Sequence, residues 1–254
     1  MKDDLFQPWC VEKQTGDKRK SLRLLQEREK AQPTAIETLR SIVPTHYYDP
    51  TRISRWLKKW GKQKCLATLK SNLPAGKKAR SGDIGEILAT EYVNRKLEYR
   101  VPIFRLRWRD DRDMALRGDD IFAVRSDENG LLYFLKGEVK SRQKLSADTL
   151  AEAGASLKKH DGRPAPYTIN FVVNRLDELG QSALSEQLEN YLSPKSIPPK
   201  RVTHLVFTVS SNNPLTLLQS HLDASSAREQ IAVGLQVDGH AAFIAAVFDE
   251  VNLA

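Results

Sequence analysis

Residues 119–124 and 131–142 are two strand-like runs separated by Asp127-Glu128-Asn129-Gly130, and this pairing constrains the chain more than any other segment. Asn-Gly between apolar runs is the strongest short-range signal for a hairpin. Side chains alternate faces along a strand. In Gly137-Glu138-Val139-Lys140, Glu138 and Lys140 therefore share one face and Val139 takes the other. A three-residue loop of Glu128, Asn129 and Gly130 pairs Asp127 with Leu131 and carries Asp120 directly opposite Glu138. Cβ atoms paired in this way lie roughly 4.5–5.5 Å apart. A two- or four-residue loop puts Asp119 on that face instead; we take Asp120 and keep Asp119 open. Two carboxylates so close repel unless a cation lies between them.

Paired carboxylates with a lysine on the same face suit phosphodiester hydrolysis. The acids hold a divalent cation, and the ammonium positions the attacking water or offsets phosphate charge. A Glu-x-Lys strand by itself is commonly a solvated salt-bridge face. Here it is joined by the matching aspartate and by an acidic helix expected over 81–93, capped by Ser81. Ile84, Ile87, Leu88, Tyr92 and Val93 recur at helical spacing, with Glu86 and Glu91 off the centre of that stripe. Gly82 and Gly85 predict close approach of backbone or phosphate to the first turn. The plainer reading makes Asp83 and Glu86 ordinary first-turn acids favoured by the helix dipole.

The order acidic helix, strand, Gly-x-Asp strand, Glu-x-Lys strand, helix resembles the PD-(D/E)-x-K nuclease superfamily. More narrowly, residues 81–160 resemble HamA, the nuclease subunit family of the Hachiman antiviral defence system, through GDIGEILATEYV, RGDDIFAV and GEVKSR. The resemblance implies an α/β, restriction-endonuclease-like core with a mixed sheet flanked by helices. It implies Glu86 as the helix acid, Asp120 and Glu138 as metal ligands, Lys140 as the catalytic lysine, and Mg²⁺ or Mn²⁺ as cofactor, with the Val139 carbonyl also facing the metal. One departure is that Gly118-Asp119 stands where the motif has Pro-Asp, which keeps Asp119 in play. The resemblance further implies a HamB-like helicase partner that holds the nuclease inactive until aberrant or invading DNA is engaged. This sequence has no Gly-x-x-x-x-Gly-Lys loop and no Gly-x-Gly-x-x-Gly, so ATP-driven sensing would come from that partner. Two rival readings are a restriction or repair nuclease of the same superfamily and a noncatalytic DNA-binding adaptor.

Charge is unevenly spread. Residues 1–80 hold 19 of the 40 Lys and Arg but only 8 of the 32 Asp and Glu. We expect a basic, mainly helical N-terminal region over 1–80, contacting DNA or a partner, and a nuclease-like domain with C-terminal strands over 81–254. Positive charge upstream of the acidic motif is an electrostatic footprint suited to a phosphate backbone. Within 74–80, expected as a loop, Lys77, Lys78 and Arg80 are the candidates for gripping phosphates. The cysteines Cys10 and Cys65 are too few for a disulfide framework or a zinc site, and reduced thiols in a cytoplasm are expected. No run reaches the roughly 18 apolar residues needed to span a membrane, and the N-terminus carries no apolar leader.

The remaining expectations are coarser. Helices are expected over 18–31, 34–42 and 49–73. In the last, Ile53, Trp56, Leu57, Trp60 and Leu66 form one face, and Trp56 and Trp60 meet as core more readily than as a base-stacking pair. Residues 101–108 alternate as a strand with Arg105 and Arg107 on one face. A helix capped by Ser146 or Asp148 runs to about 159, and further helices cover 167–179 and 181–192. Strands are expected over 201–210, 231–237 and 242–248, the last two joined by a turn at Asp238-Gly239. His204, on an alternating strand, reads as a packed residue and not as a ligand.

Overall fold

The computed structural model describes residues 4–114 and 117–253. Its order is α1 (Phe6–Trp9), β1 (Cys10–Gly16), β2 (Lys20–Glu27), α2 (Gln32–Tyr47), α3 (Pro50–Asn72), α4 (Lys77–Lys96), β3 (Ile121–Ser126), β4 (Leu132–Ser141), α5 (Ala147–Lys158), α6 (Pro166–Glu178), α7 (Ser182–Glu189), β5 (Val202–Ser210), α8 (Leu215–Ala224), β6 (Gln230–Gln236) and α9 (His240–Asp249). The six strands form one mixed sheet in the order β1-β2-β6-β5-β4-β3. Its centre is parallel, β2 to β6 to β5 to β4, and each edge is an antiparallel hairpin. Helices cover both faces, as a parallel centre requires. The fold is thus α/β, a six-stranded mixed sheet between helical layers.

The hairpin register is the one expected. Asp127 N–H donates to the Leu131 carbonyl (3.1 Å), closing the three-residue loop, and Ile121 pairs with Gly137. On one face, Ile84, Ile87 and Leu88 of α4 join Leu135, Phe207 and Val233 of the sheet and Phe243 and Val247 of α9 in the largest core cluster. On the other, Leu150, Ala153 and Leu157 of α5 and Leu218 and Leu222 of α8 meet Val206, Ala232, Leu22 and Leu24. A smaller cluster beneath α6 and α7 holds Phe122, Phe134, Ile169 and Leu188.

Gly85 explains how α4 sits so near the sheet. A Cβ there would meet Val139 Cγ1 at 2.9 Å and Ser141 Cβ at 3.2 Å, so the close approach expected at this turn is to β4. Gly137 does the same between strands, since its Cβ would lie 2.7 Å from Ile121 Cβ. Together the two glycines fix where the Glu-x-Lys segment lies relative to the acidic helix.

Several expectations are corrected. Residues 18–31 are not helical: Lys20–Glu27 is strand β2, paired antiparallel with β1 and parallel with β6. The first 80 residues therefore supply two strands of the sheet as well as helices. Residues 101–108 are not a strand: apart from an isolated Arg100–Val124 bridge the segment is irregular, ending in a 3₁₀ turn at Arg105–Trp108. Residues 242–248 belong to α9, and Gly239, at φ +58°, caps that helix and turns no hairpin. Residues 215–224 form a helix that was not expected. In α3, Gly61 at φ +75° kinks the helix, so Cys65 and Leu69 join Ile53 and Trp56 in the buried face in place of Leu66. Trp56 and Trp60 stack at 5.3 Å, in keeping with the packing reading.

Candidate active site

The hairpin brings Asp120, Glu138 and Lys140 together. Asp120 immediately precedes β3, and its Oδ2 accepts from the Val139 N–H at 2.9 Å. Lys140 Nζ donates to Glu138 Oε1 at 2.9 Å. Val139 points to the α4 face, against Gly85, so Glu138 and Lys140 project from the opposite face of β4. Glu86 arrives from α4, and a cavity of about 30 Å³ lies between it and Asp120, with Arg105, Arg117 and Thr168 in its wall.

These three carboxylates carry uncompensated charge. Glu86 is pushed up to about 8, first by burial and then by the charges of Asp120 and Asp83, against the pull of Arg105 and Arg109. Burial raises Asp120 too, opposed by the Val139 hydrogen bond and by Arg105 and Lys140. Glu138 is raised by burial and by Asp120, while Lys140 opposes. Asp120 thus acts on both glutamates, and a cation placed beside it would relieve all three. Hard carboxylate oxygens are the donors that Mg²⁺ takes, through one or two carboxylates with water and substrate completing the shell. Among the described residues no group of three or more His, Cys, Asp or Glu is gathered as a ready-made metal cluster. The donor set fits a metal that keeps water ligands, with Asp120 shared between Glu86 on one side and Glu138 on the other.

Asp119 is occupied elsewhere. Its Oδ2 accepts from the Ala165 N–H at 2.8 Å, before α6, and its Oδ1 lies 3.7 Å from Lys136 Nζ. Lys136 is buried and also donates to the carbonyls of Lys159 (2.8 Å) and Arg163 (3.0 Å). Asp119 and Lys136 therefore anchor the connection into α6 while Asp120 faces the site. His204 accepts a packing role of the expected kind, its Nε2 sharing a hydrogen bond with the Gly162 carbonyl at 2.7 Å.

The basic candidates lie on α4 itself, which starts at Lys77 with Gly76 as its cap, so 77–80 is its first turn and Ser81 is interior. Lys77 and Lys78 are exposed. Arg80 is committed to structure: it donates to the Pro74 carbonyl (2.8 Å) and to Asp249 (2.6 Å) and lies over the Phe248 ring. Sequence reasoning missed Arg105 as a neighbour of the carboxylates. Its guanidinium donates to the carbonyls of Asp119 and Arg117 (3.2 Å), on the wall of the same cavity. Alternation had put it on a strand; Pro102 just upstream was the signal against one.

The acids of α4 divide by role. Glu91 is buried and accepts from Arg95 Nε (2.6 Å) and from His46 Nε2 (2.8 Å), tying α4 to α2. Burial pushes its carboxyl up, but the hydrogen bonds and charges of His46 and Arg95 bring it down to about 2. Burial holds His46 below its usual range, so near neutral pH Arg95 carries the positive charge and the imidazole donates as a neutral ring. A depressed carboxylate stabilises the fold above its ordinary value of 4.5, and that contribution disappears as pH falls toward 2. We therefore expect Glu91→Gln to flatten the pH dependence of stability between about 4.5 and 2, read from urea unfolding at a series of pH values. An unchanged profile would remove Glu91 as its source.

The family model described as HamA matches residues 3–251. The chain belongs to the HamA family. A curated relative, the Hachiman protein HamA of Bacillus cereus, is 26% identical over 176 residues, covering 69% of this chain and 62% of the relative. The match thus spans under two thirds of that relative's length. HamA membership connects this chain with Hachiman antiviral defence, as the resemblance over 81–160 had implied, and extends the likeness to nearly the whole sequence. Among the described residues no helix is long and apolar enough to cross a membrane.

Proposed function

We propose that this HamA-family chain is a metal-dependent DNA endonuclease with a PD-(D/E)-x-K core, the effector of a bacterial anti-phage complex restrained by a helicase partner. The observation that carries the reading is the set of Asp120, Glu138 and Lys140 on one hairpin, with Glu86 across a small cavity from Asp120. Asp120, Glu138 and Glu86 would hold Mg²⁺ or Mn²⁺, directly or through water. The bound metal supplies Lewis-acid polarisation of the scissile phosphate and a more acidic water. Lys140, held at 2.9 Å by Glu138, presents its ammonium where the attacking water or the developing phosphate charge needs it. The Val139 N–H fixes Asp120 in place. Exposed Lys77 and Lys78, at the start of the helix that bears Glu86, would take phosphates flanking the scissile one, and the basic first 80 residues would contact DNA or the helicase.

The test is supercoiled plasmid incubated with the purified chain and Mg²⁺, with EDTA as control, repeated with a HamB-like helicase, ATP and free DNA ends. Metal-dependent nicking in either condition supports the reading. Silence in both would favour a noncatalytic adaptor. Equal cleavage with and without the partner under every trigger would leave the nuclease standing and remove the restraint.

A further inference from the structure

We propose that the groove between the α2–α3 junction and the Arg105–Trp108 turn is a binding track for single-stranded DNA leading to the catalytic carboxylates; this rests on the nuclease reading above. The groove has a volume of about 670 Å³ and is walled by Tyr48, Arg52, Arg100, Phe104, Arg107 and Trp108. It shares Val101, Ile103 and Phe104 with the small cavity that contains Glu86 and Asp120, so the two are continuous along one strip of chain. A ligand lying in the groove therefore has one end beside the proposed metal site.

The chemistry of the walls selects the ligand. Asp49 is the one acid among the lining residues, and Arg107 neutralises it at 3.2 Å while also donating to the Thr45 carbonyl. Arg52 and Arg100 are exposed and leave the groove net positive. Arg52 is held flat against aromatic surface, its guanidinium 5.3 Å from the Tyr48 ring centre and 4.8 Å from that of Trp56. Trp108 and Tyr48 are half-buried, showing part of each ring to the groove. Cations beside aromatic faces suit a phosphate backbone whose bases are free to stack. In a duplex the base faces are already stacked on one another, so such walls have little to offer it. Single-stranded DNA is the ligand that uses both features.

The experiment is fluorescence anisotropy with a short labelled oligothymidylate and a duplex of equal length. The full chain carries Glu138→Ala so that nothing is cut. Arg52→Gln/Arg100→Gln tests the groove. Lys18→Gln/Lys30→Gln removes the same charge at exposed positions outside the groove lining. Melting curves establish that each variant is folded. We expect the single strand to bind more tightly than the duplex, and the groove variant to lose about tenfold or more in affinity while the control pair loses little. Equal binding of duplex and single strand, an equal loss in both variants, or no binding of the oligonucleotide overturns the track. Retained, groove-dependent binding beside a plasmid assay silent in all conditions would count against the nuclease reading and not against the groove.

Discussion

Asp83→Ala is expected to lower the stability of the fold by about 3–5 kcal/mol, the usual result of removing one partner from a buried ion pair. Asp83 sits one turn before Glu86 on α4, and both of its oxygens are engaged by Arg109, at 2.7 and 2.6 Å. The Tyr47 hydroxyl donates to Oδ2 at 2.5 Å. The side chains of Asp83 and Arg109 are only 4% and 7% exposed, so solvent cannot replace what is lost. Truncating Asp83 strands the guanidinium in the protein, where Arg109 Nε already lacks a partner. Much of the effect is therefore the cost of the orphaned charge, which the double variant Asp83→Leu/Arg109→Met removes. We expect that variant to recover most of the loss, since apolar replacement of a whole buried pair is often neutral. Urea unfolding of the three proteins reads the difference. A single-variant loss under about 1 kcal/mol would mean the pair is solvated and weak.

This pair also shows where sequence reasoning stops. Asp83 looked like a dipole-favoured acid in a first turn, because its partner lies 26 residues away in an irregular segment with no periodicity. The hairpin was legible for the opposite reason. Its register depends on local turn chemistry and a period of two, both written in 119–142. Strand β2 was hidden by composition. Lys18-Arg19-Lys20 and Glu27-Arg28-Glu29-Lys30 suit a helix, yet Leu22, Leu24 and Leu25 are buried by pairing with β1 and β6, and tertiary contact overrides propensity. At the C-terminus the signal was present but misread. Ala-rich 240–249 favours a helix, and Phe243, Ile244, Val247 and Phe248 recur at helical spacing. Asp238-Gly239 suggested a hairpin because Gly adopts positive φ as readily at a helix start as in a turn. For the site, the acids and lysine were legible because they share one local element. Arg105, Arg109 and Lys136 were not, because what places them is contact between distant segments.

Lys140→Ala is expected to reduce metal-dependent DNA cleavage on the order of 10²–10⁴-fold, the range for a positioned group that assists proton movement in the transition state. The variants Glu138→Ala and Lys140→Ala should be as silent singly as together, because residues that act as one unit do not contribute additively. Stability should behave differently. Glu138 and Lys140 are each 15% exposed and paired at 2.9 Å, with Asp120 nearby adding negative charge. Removing Lys140 alone leaves two facing carboxylates without their cation, so it should destabilise more than the double variant does. Melting curves with and without Mg²⁺ complete the argument. A metal held by Asp120 and Glu138 raises the wild-type midpoint through linkage, by about 2.7 kcal/mol when its concentration is roughly 100 times Kd. That shift should vanish in Asp120→Ala and persist in Asp119→Ala corrected for its own loss of stability, since Asp119 is engaged by Ala165 and Lys136. The reverse pattern, with the Mg²⁺ shift lost in Asp119→Ala and kept in Asp120→Ala, would move the metal to the other aspartate and reject the register on which the site is built.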